Sequence, residues 1–351
     1  MIEPEVWRGR RVLVTGHTGF KGSWLAVWLH ALGADVYGFA SPPPTTPSLF
    51  ELTHLDELVN SITGDVRDLE AVKGAVAKSR PVIIFHLAAQ SLVHASLVDP
   101  LRTYSTNVLG TAHLLEAVRG PGRDVRAVVC VTSDKCYSNR EWDWGYREND
   151  PLGGHDPYSS SKACQELVAA SYRDAVFNRE VGLATARAGN VIGGGDWAEH
   201  RLVPDVMRAA LDGRSVTVRN PASVRPWQHV LDSLSGYLIL AQRLAGDSHD
   251  VAEAWNFSPP VGEAQPVSWL VDRLRERWPG EFGVELASAS TGGHEAQLLQ
   301  LDATKARRRL GWAPRWPLER AIDTTVEWYD AYRSGGDMRA VTLAQIEAFG
   351  R

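Results

Sequence analysis

Cysteine is scarce: Cys130, Cys136 and Cys164 are the only three in 351 residues. An odd, sparse set in a long chain builds no disulfide framework and points to a reducing cytoplasm. Long apolar runs are missing as well, and none approaches the roughly 18–20 residues that span a bilayer. The opening Met1-Ile2-Glu3-Pro4-Glu5 is acidic and lacks the basic start and apolar stretch of a signal peptide. Positive charge is not in excess: 37 Lys and Arg against 42 Asp and Glu leave a net −5. With no dense basic patch, binding driven by a phosphate backbone is excluded as a main activity. Neither a nucleic-acid partner nor a membrane partner is expected. No His, Cys, Asp and Glu residues share metal-ligand spacing, so no metal is expected. Internal repeats are absent, and Pro42-Pro43-Pro44 is the one short biased stretch.

What remains is an ordinary globular composition, 44 % hydrophobic and 23 % charged, in a chain long enough for two domains. The 13 tryptophans suggest generous core packing or stacking surfaces. Residues 10–15, 34–40, 82–87 and 125–131 are short runs of near-continuous apolar character separated by helix-like sequence. That pattern predicts parallel strands covered by helices on both faces. After the first run, Trp24, Leu25, Trp28, Leu29 and Leu32 give a helical period. The second half is more irregular, broken at Gly193-Gly194-Gly195 and over 220–228, with helical stretches at 231–244 and 267–278.

Gly16-His17-Thr18-Gly19-Phe20-Lys21-Gly22 stands between the first strand and its helix. Glycine there lets the backbone turn tightly and approach a pyrophosphate, whose charge then lies at the helix N-terminus. In that context a dinucleotide loop is a better reading than a bare turn. The fold expected is α/β, a Rossmann-type doubly wound parallel sheet with a smaller C-terminal substrate-binding lobe. The sheet domain is expected over 1–186 with a returning segment near 230–258, and the lobe over 187–229 and 259–351. One usual feature is missing: the second strand ends Gly38-Phe39-Ala40-Ser41, without the acid that holds an adenosine ribose and without an arginine for a 2′-phosphate. Asp65-Val66 lies where it can reach an adenine, and a capped helix start explains it equally well.

Tyr158 and Lys162 are four residues apart and share one helix face. An ammonium beside a phenol lowers the phenol's pKa from its reference near 10 and makes it a base. Thr132-Ser133, after the strand at 125–131, supplies a hydroxyl at the sheet's carboxyl edge. Ser133, Tyr158 and Lys162 together suit hydride exchange between an alcohol carbon and a nicotinamide.

With these residues the chain resembles, over nearly its full length, the extended short-chain dehydrogenase/reductase family. The matching segments are the glycine loop, His86-Leu87-Ala88-Ala89-Gln90, Asn107, Tyr158 with Lys162, Arg187-Ala188-Gly189-Asn190-Val191 and Arg225-Pro226-Trp227-Gln228-His229-Val230. Within it, Ser133-Asp134-Lys135-Cys136-Tyr137, the run 139–162, His294-Glu295 and Leu301-Asp302 are most similar to the nucleotide-sugar 4,6-dehydratases, in particular to their CDP-glucose branch. The resemblance implies NAD as cofactor, held by Gly16, Thr18, Gly19, Phe20, Lys21, Asp65, Val66, Leu87, Ala88, Ala89, Asn107, Thr132, Tyr158 and Lys162. It implies oxidation at C4 of a nucleotide-linked hexose, loss of water across C5–C6, and return of the hydride to C6. Tyr158 would take the C4 hydroxyl proton, Lys162 would tune it, and Ser133 would hold the C4 oxygen.

For the elimination, most sugar 4,6-dehydratases have Asp-Glu where this chain has Asp134-Lys135. Asp134 is the acid for the C6 oxygen if burial raises its pKa. Lys135 is the base at C5 if it is neutral, and the plainer alternative is that it pairs with Asp134 or a substrate oxygen. Gln90, His94, Ser133, Asn190, Arg201, Arg225 and His294 are the substrate-binding candidates. Arg225 is the diphosphate partner of choice because a guanidinium grips phosphate bidentately. Gln90 and His94 have the ordinary alternative of satisfied core polar residues. The resemblance also implies a homodimer through helices near 100–118 and 158–176, with a tetramer left open. CDP-glucose is the favoured substrate. A C4-epimerase, or a dehydratase of a GDP- or dTDP-linked sugar, is the alternative, and an epimerase has no use for Asp134 and Lys135 as an elimination pair.

Overall fold

The structure is a computed structural model, and it describes residues 1–350 apart from 179, 247–248 and 288–296. Seven strands form its central sheet: β1 (Arg11–Thr15), β2 (Asp35–Ala40), β3 (Asn60–Thr63), β4 (Ile83–His86), β5 (Ala127–Val131), β6 (Gly182–Ala188) and β7 (Ala254–Phe257). Their order is β7-β6-β5-β4-β1-β2-β3, and every neighbouring pair is parallel. The four strands expected from the apolar runs are all present, shortened by one or two residues at their ends. Every residue of β4, β5 and β6 is buried, which is why their sequence runs apolar without alternation. The chain starts at β1 in mid-sheet and winds outward both ways, so a crevice opens at the carboxyl ends of β1 and β4.

The helix after β1, α1 (Phe20–Ala31), is buried continuously from Gly22 to Leu29. A one-sided apolar stripe would leave half of that stretch in water. Its outer face is covered instead by α7 (Met338–Gly350), whose Phe349 ring packs edge-on to Trp28 at 5.6 Å. Before it in the chain come α2 (Leu69–Ser79), α3 (Gly110–Arg119), α4 (Pro157–Ser171), α5 (Val230–Ala245) and α6 (Leu318–Arg333). The end of the chain thus packs on the first helix of the sheet unit. Trp7, Trp24, Trp255, Trp312 and Trp328 are fully buried, so core packing accounts for much of the tryptophan surplus.

Short two-stranded pairs build the second half, as its irregular sequence suggests. Val191–Ile192 pairs with Gln228–His229, and Val224–Arg225 with Gln265–Pro266. They carry Asn190 and the segment 225–228 to the region beyond β6, over the crevice.

Candidate active site

At the end of β1, Gly16 turns with φ +77° and donates its N–H to Phe39 O at 2.9 Å. A Cβ there would come within 2.7 Å of Ala88 N, so only glycine lets the turn lie against the chain leaving β4. Gly19 donates to Gly16 O at 3.1 Å and begins α1, with no side-chain cap and no acid in the first turn. A helix end left this way offers free N–H groups and a positive dipole to an anion. The turn therefore fits a dinucleotide pyrophosphate. Thr18 Oγ1 donates to Ser41 O at 3.0 Å and ties the loop to the end of β2.

Near the end of β2, glycine at 38 has a physical reason. The buried imidazole of His17 lies against Gly38, where a Cβ would come within 2.3 Å of the ring. Its Nε2 is 2.8 Å from Ser61 Oγ, and its ring meets Phe50 edge-on at 5.5 Å. Burial lowers the His17 pKa to about 4, so the ring is neutral. Asp65 is engaged by the Arg67 guanidinium at 2.5–3.0 Å, and that hydrogen bond holds its carboxyl below the usual range. The cap of α2 is Asp68, which accepts from Glu70 N and Ala71 N. Val66 is buried, with its carbonyl 2.9 Å from His113 Nδ1.

Leu87 N and Ala88 N donate to Thr15 O and Oγ1 at 3.1 and 3.2 Å, which fixes the start of the loop running on through Ala89. Asn107 Oδ1 accepts from Gln90 N at 2.8 Å, while its Nδ2 donates to Gln90 O at 2.9 Å and to Ser161 Oγ at 2.8 Å. Gln90 spends its own amide on Leu92 and Thr103. Both amides thus hold the loop after β4 in place beside α4.

The chemistry-bearing residues converge at the ends of β5 and α4. Asp156 caps α4 by accepting from Ser159 N, and the helix carries Tyr158 and Lys162 on one face. Ser133 Oγ, at the exit of β5, donates to Asp134 Oδ1 at 2.9 Å and acts on the Tyr158 phenol nearby. Burial pushes the Tyr158 phenol up to about 12; the Ser133 hydrogen bond and the Arg201 charge act the other way, and Asp134 adds to the rise. Lys162 stands one turn further along the same helix. Its ammonium donates to Gln165 Oε1 at 2.9 Å and to Val131 O at 3.3 Å, and burial brings its pKa down to about 8.

Asp134 is buried, and a Cβ on Gly189 would lie 3.4 Å from its Oδ2 and 2.9 Å from Pro226 Cγ. Glycine at 189 therefore keeps space open between Asp134 and the second lobe. Lys135 is half-buried and makes no ion pair among the described residues, so the pairing with Asp134 is not formed. Lys21 reaches into the same centre, with Nζ 3.4 Å from Tyr237 Oη. Burial and the Arg201 charge lower its pKa to about 7.

The other candidates are spread around this centre. Arg201 bridges Asp196 (3.0 Å) and Ser91 (2.8 Å), and its charge is felt at Tyr158 and Lys21. His94 is exposed and packs against His200 in a tilted pair with ring centroids 4.5 Å apart. Asn190 is half-buried and its carbonyl accepts from Gln228 N at 3.0 Å. Arg225 is buried and donates to Val224 O and Gln297 O. His294 lies outside the described residues. Thr132 turns its hydroxyl away from the crevice to Glu166 at 2.5 Å. Among the described residues no group of His, Cys, Asp and Glu could hold a metal ion, and no helix is long and apolar enough to cross a membrane.

Sequence reasoning assigned no role to Glu166, Arg187, Tyr137 or Tyr237, all of which stand at this centre. The signal for Glu166 was its place four residues after Lys162 on the same helix.

A doubly wound parallel sheet, a glycine turn fitted to a pyrophosphate, and Ser133, Tyr158 and Lys162 at its carboxyl edge define an extended short-chain dehydrogenase/reductase. Comparison with known proteins narrows the class. Residues 13–325 match the family described as GDP-mannose 4,6 dehydratase, and the chain belongs to this family of nucleotide-sugar 4,6-dehydratases. It is 50 % identical to the CDP-glucose 4,6-dehydratase of Salmonella typhimurium, over 99 % of this chain and 98 % of that protein. It is 30 % identical to a dTDP-glucose 4,6-dehydratase of Streptomyces antibioticus, over 91 % and 92 % of the two chains. Among solved structures, a Streptomyces venezuelae dTDP-glucose 4,6-dehydratase with NAD bound superposes with a TM-score of 0.79 at 26 % identity, covering 94 % of this chain and 99 % of that one.

Proposed function

We propose that this protein is an NAD-dependent hydro-lyase that converts CDP-glucose to its 4-dehydro-6-deoxy derivative. The observation that carries this reading is Lys135 beside Asp134 in a Ser–Tyr–Lys centre, in a chain half identical to a CDP-glucose 4,6-dehydratase along its whole length. An epimerase needs the oxidation machinery alone and leaves the Asp134–Lys135 pair without a task.

When bound, NAD would supply the hydride acceptor for C4 and the hydride donor for C6. Gly16, Gly19 and the first turn of α1 would hold its pyrophosphate, and Lys162 would bind its nicotinamide ribose. Tyr158 Oη takes the proton of the C4 hydroxyl while Ser133 Oγ donates to the same oxygen. A C4 ketone acidifies the C5 hydrogen, which Lys135 Nζ removes. The buried Asp134 carboxyl gives a proton to the C6 oxygen as water leaves. Lys135 then returns its proton to C5. Asn190 binds a sugar or diphosphate oxygen, Arg225 grips the diphosphate, and Arg201 lines the nucleotide pocket.

The test is turnover of CDP-, dTDP- and GDP-glucose with added NAD, read by product mass. Loss of one water from CDP-glucose, at a kcat/KM at least about tenfold above the other two, is the expected result. A tenfold preference corresponds to ~1.4 kcal/mol, within reach of a few base contacts. A product of unchanged mass with C4 inverted would make the protein an epimerase.

We also assign a homodimer. Leu97 (59 % exposed), Leu101 (81 %) and Leu167 (60 %) are exposed apolar side chains on two stretches that pack together, 93–109 and α4. Large apolar side chains gathered this way mark an association face. Leu101→Glu converts the dimer to monomer in sedimentation, and an unchanged sedimentation coefficient would refute the assignment. Three free cysteines, two of them buried, support work in a reducing cytoplasm.

A further inference from the structure

The catalytic segment Thr132–Tyr137, which carries Ser133, Asp134 and Lys135, is held at both ends by one buried ion pair. Glu166 and Arg187 are 4 % and 3 % exposed. Glu166 stands on α4, one turn beyond Lys162 and two beyond Tyr158. Its Oε1 accepts from Thr132 Oγ1 at 2.5 Å and from Arg187 Nε at 2.8 Å. Its Oε2 accepts from Thr185 Oγ1 at 2.6 Å and from Arg187 Nη2 at 2.8 Å. Arg187, near the end of β6, uses Nη1 for Tyr137 Oη at 2.6 Å and Glu148 O at 3.1 Å, and its guanidinium lies 4.8 Å over the Tyr137 ring. Tyr137 Oη in turn donates to Asn256 Oδ1 on β7 at 2.8 Å.

A buried ion pair is poor evidence of stabilisation, because the cost of desolvating two charges offsets their attraction. Its value lies in geometry. A bidentate arginine–carboxylate pair is directional, and here every oxygen and most donors are spent on fixed partners. Glu166 grips the residue just before Ser133, and Arg187 grips the residue two after Lys135. We propose that Glu166 and Arg187 are positioning residues that clamp Ser133, Asp134 and Lys135 against Tyr158 and Lys162, with Thr132 and Tyr137 as the two handles. Neither touches substrate. A displacement of 1 Å at reacting groups costs on the order of 10²-fold in rate, so such a clamp acts on kcat more than on KM.

Removing Glu166 would leave Arg187 buried and unpaired, and the variant could fail to fold. The handles give a milder test. Thr132→Val and Tyr137→Phe each cut one grip and leave the ion pair intact. With CDP-glucose as substrate, an arm that rests on the function proposed above, each lowers kcat roughly 10- to 100-fold and moves KM less than about threefold.

The second arm needs no substrate. Cys136 is buried inside the clamped segment, while Cys130 is buried on β5 outside it. Iodoacetamide labelling resolved by peptide mass should reach Cys136 at least about tenfold faster in both variants, with Cys130 labelled at its wild-type rate. Unchanged kcat and unchanged Cys136 labelling would overturn the clamp. Equal acceleration at Cys130 and Cys136 would overturn it too, since that reports general loosening. If wild-type protein does not turn over CDP-glucose, the function proposed above fails, and the labelling arm alone decides the clamp.

Discussion

Tyr158→Phe abolishes turnover of the nucleotide sugar, by roughly 10³-fold or more, and leaves the fold intact. The phenol is buried, its environment is set by Ser133, and Phe fills the same space without the oxygen. General-base loss alone is worth about 10²–10⁴-fold. The substrate itself should still bind, because the diphosphate and base are held elsewhere. The check is kcat from steady-state assay beside a substrate dissociation constant from calorimetry. Retention of more than about a tenth of wild-type kcat would remove Tyr158 from the role of base.

Lys135→Ala separates the two halves of the reaction. C4 oxidation uses Ser133, Tyr158 and Lys162, none of which is altered, so C4-oxidised sugar still forms in one equivalent per site. The C5 proton then has no base, and overall dehydration falls by about 10²–10⁴-fold. Wild-type protein in deuterated water places solvent deuterium at C5, whereas the variant does not. If dehydration survives in Lys135→Ala at near wild-type rate, another group removes the C5 proton. Asp134 and the partly deprotonated Lys21, whose pKa of about 7 follows from burial and the charge of Arg201, would then be the groups to examine.

The parts of this centre that sequence revealed are those with a local signature. Four strands announced themselves because strands buried on both faces run continuously apolar. The glycine turn and the Tyr158–Lys162 spacing are likewise fixed by short-range geometry. What sequence could not show were relations between distant segments. His17 and Gly38 are 21 residues apart, so the packing of the imidazole against the Gly38 backbone had no visible cause in the sequence. The burial of α1 on every side depends on α7, more than 300 residues later.

The polar residues show the same limit. Gln90 and Asn107 read as candidate ligand-binding amides, Gln90 with the alternative of a satisfied core residue, and their hydrogen bonds go to the loop backbone, Thr103 and Ser161. Amide partners of that kind carry no sequence pattern. Lys162 was placed correctly on the face of Tyr158, but its long side chain found acceptors at Val131 and Gln165. Glu166 and Arg187 are joined only by the folding of α4 against β6.

The most direct test follows the hydride. CDP-glucose deuterated at C4 is incubated with the protein and NAD, and the product is analysed by mass and by the position of the label. The mechanism predicts loss of one water, with the deuterium transferred from C4 to C6 of the same sugar. A dehydrated product without deuterium at C6, or a product of unchanged mass with deuterium again at C4, would contradict it.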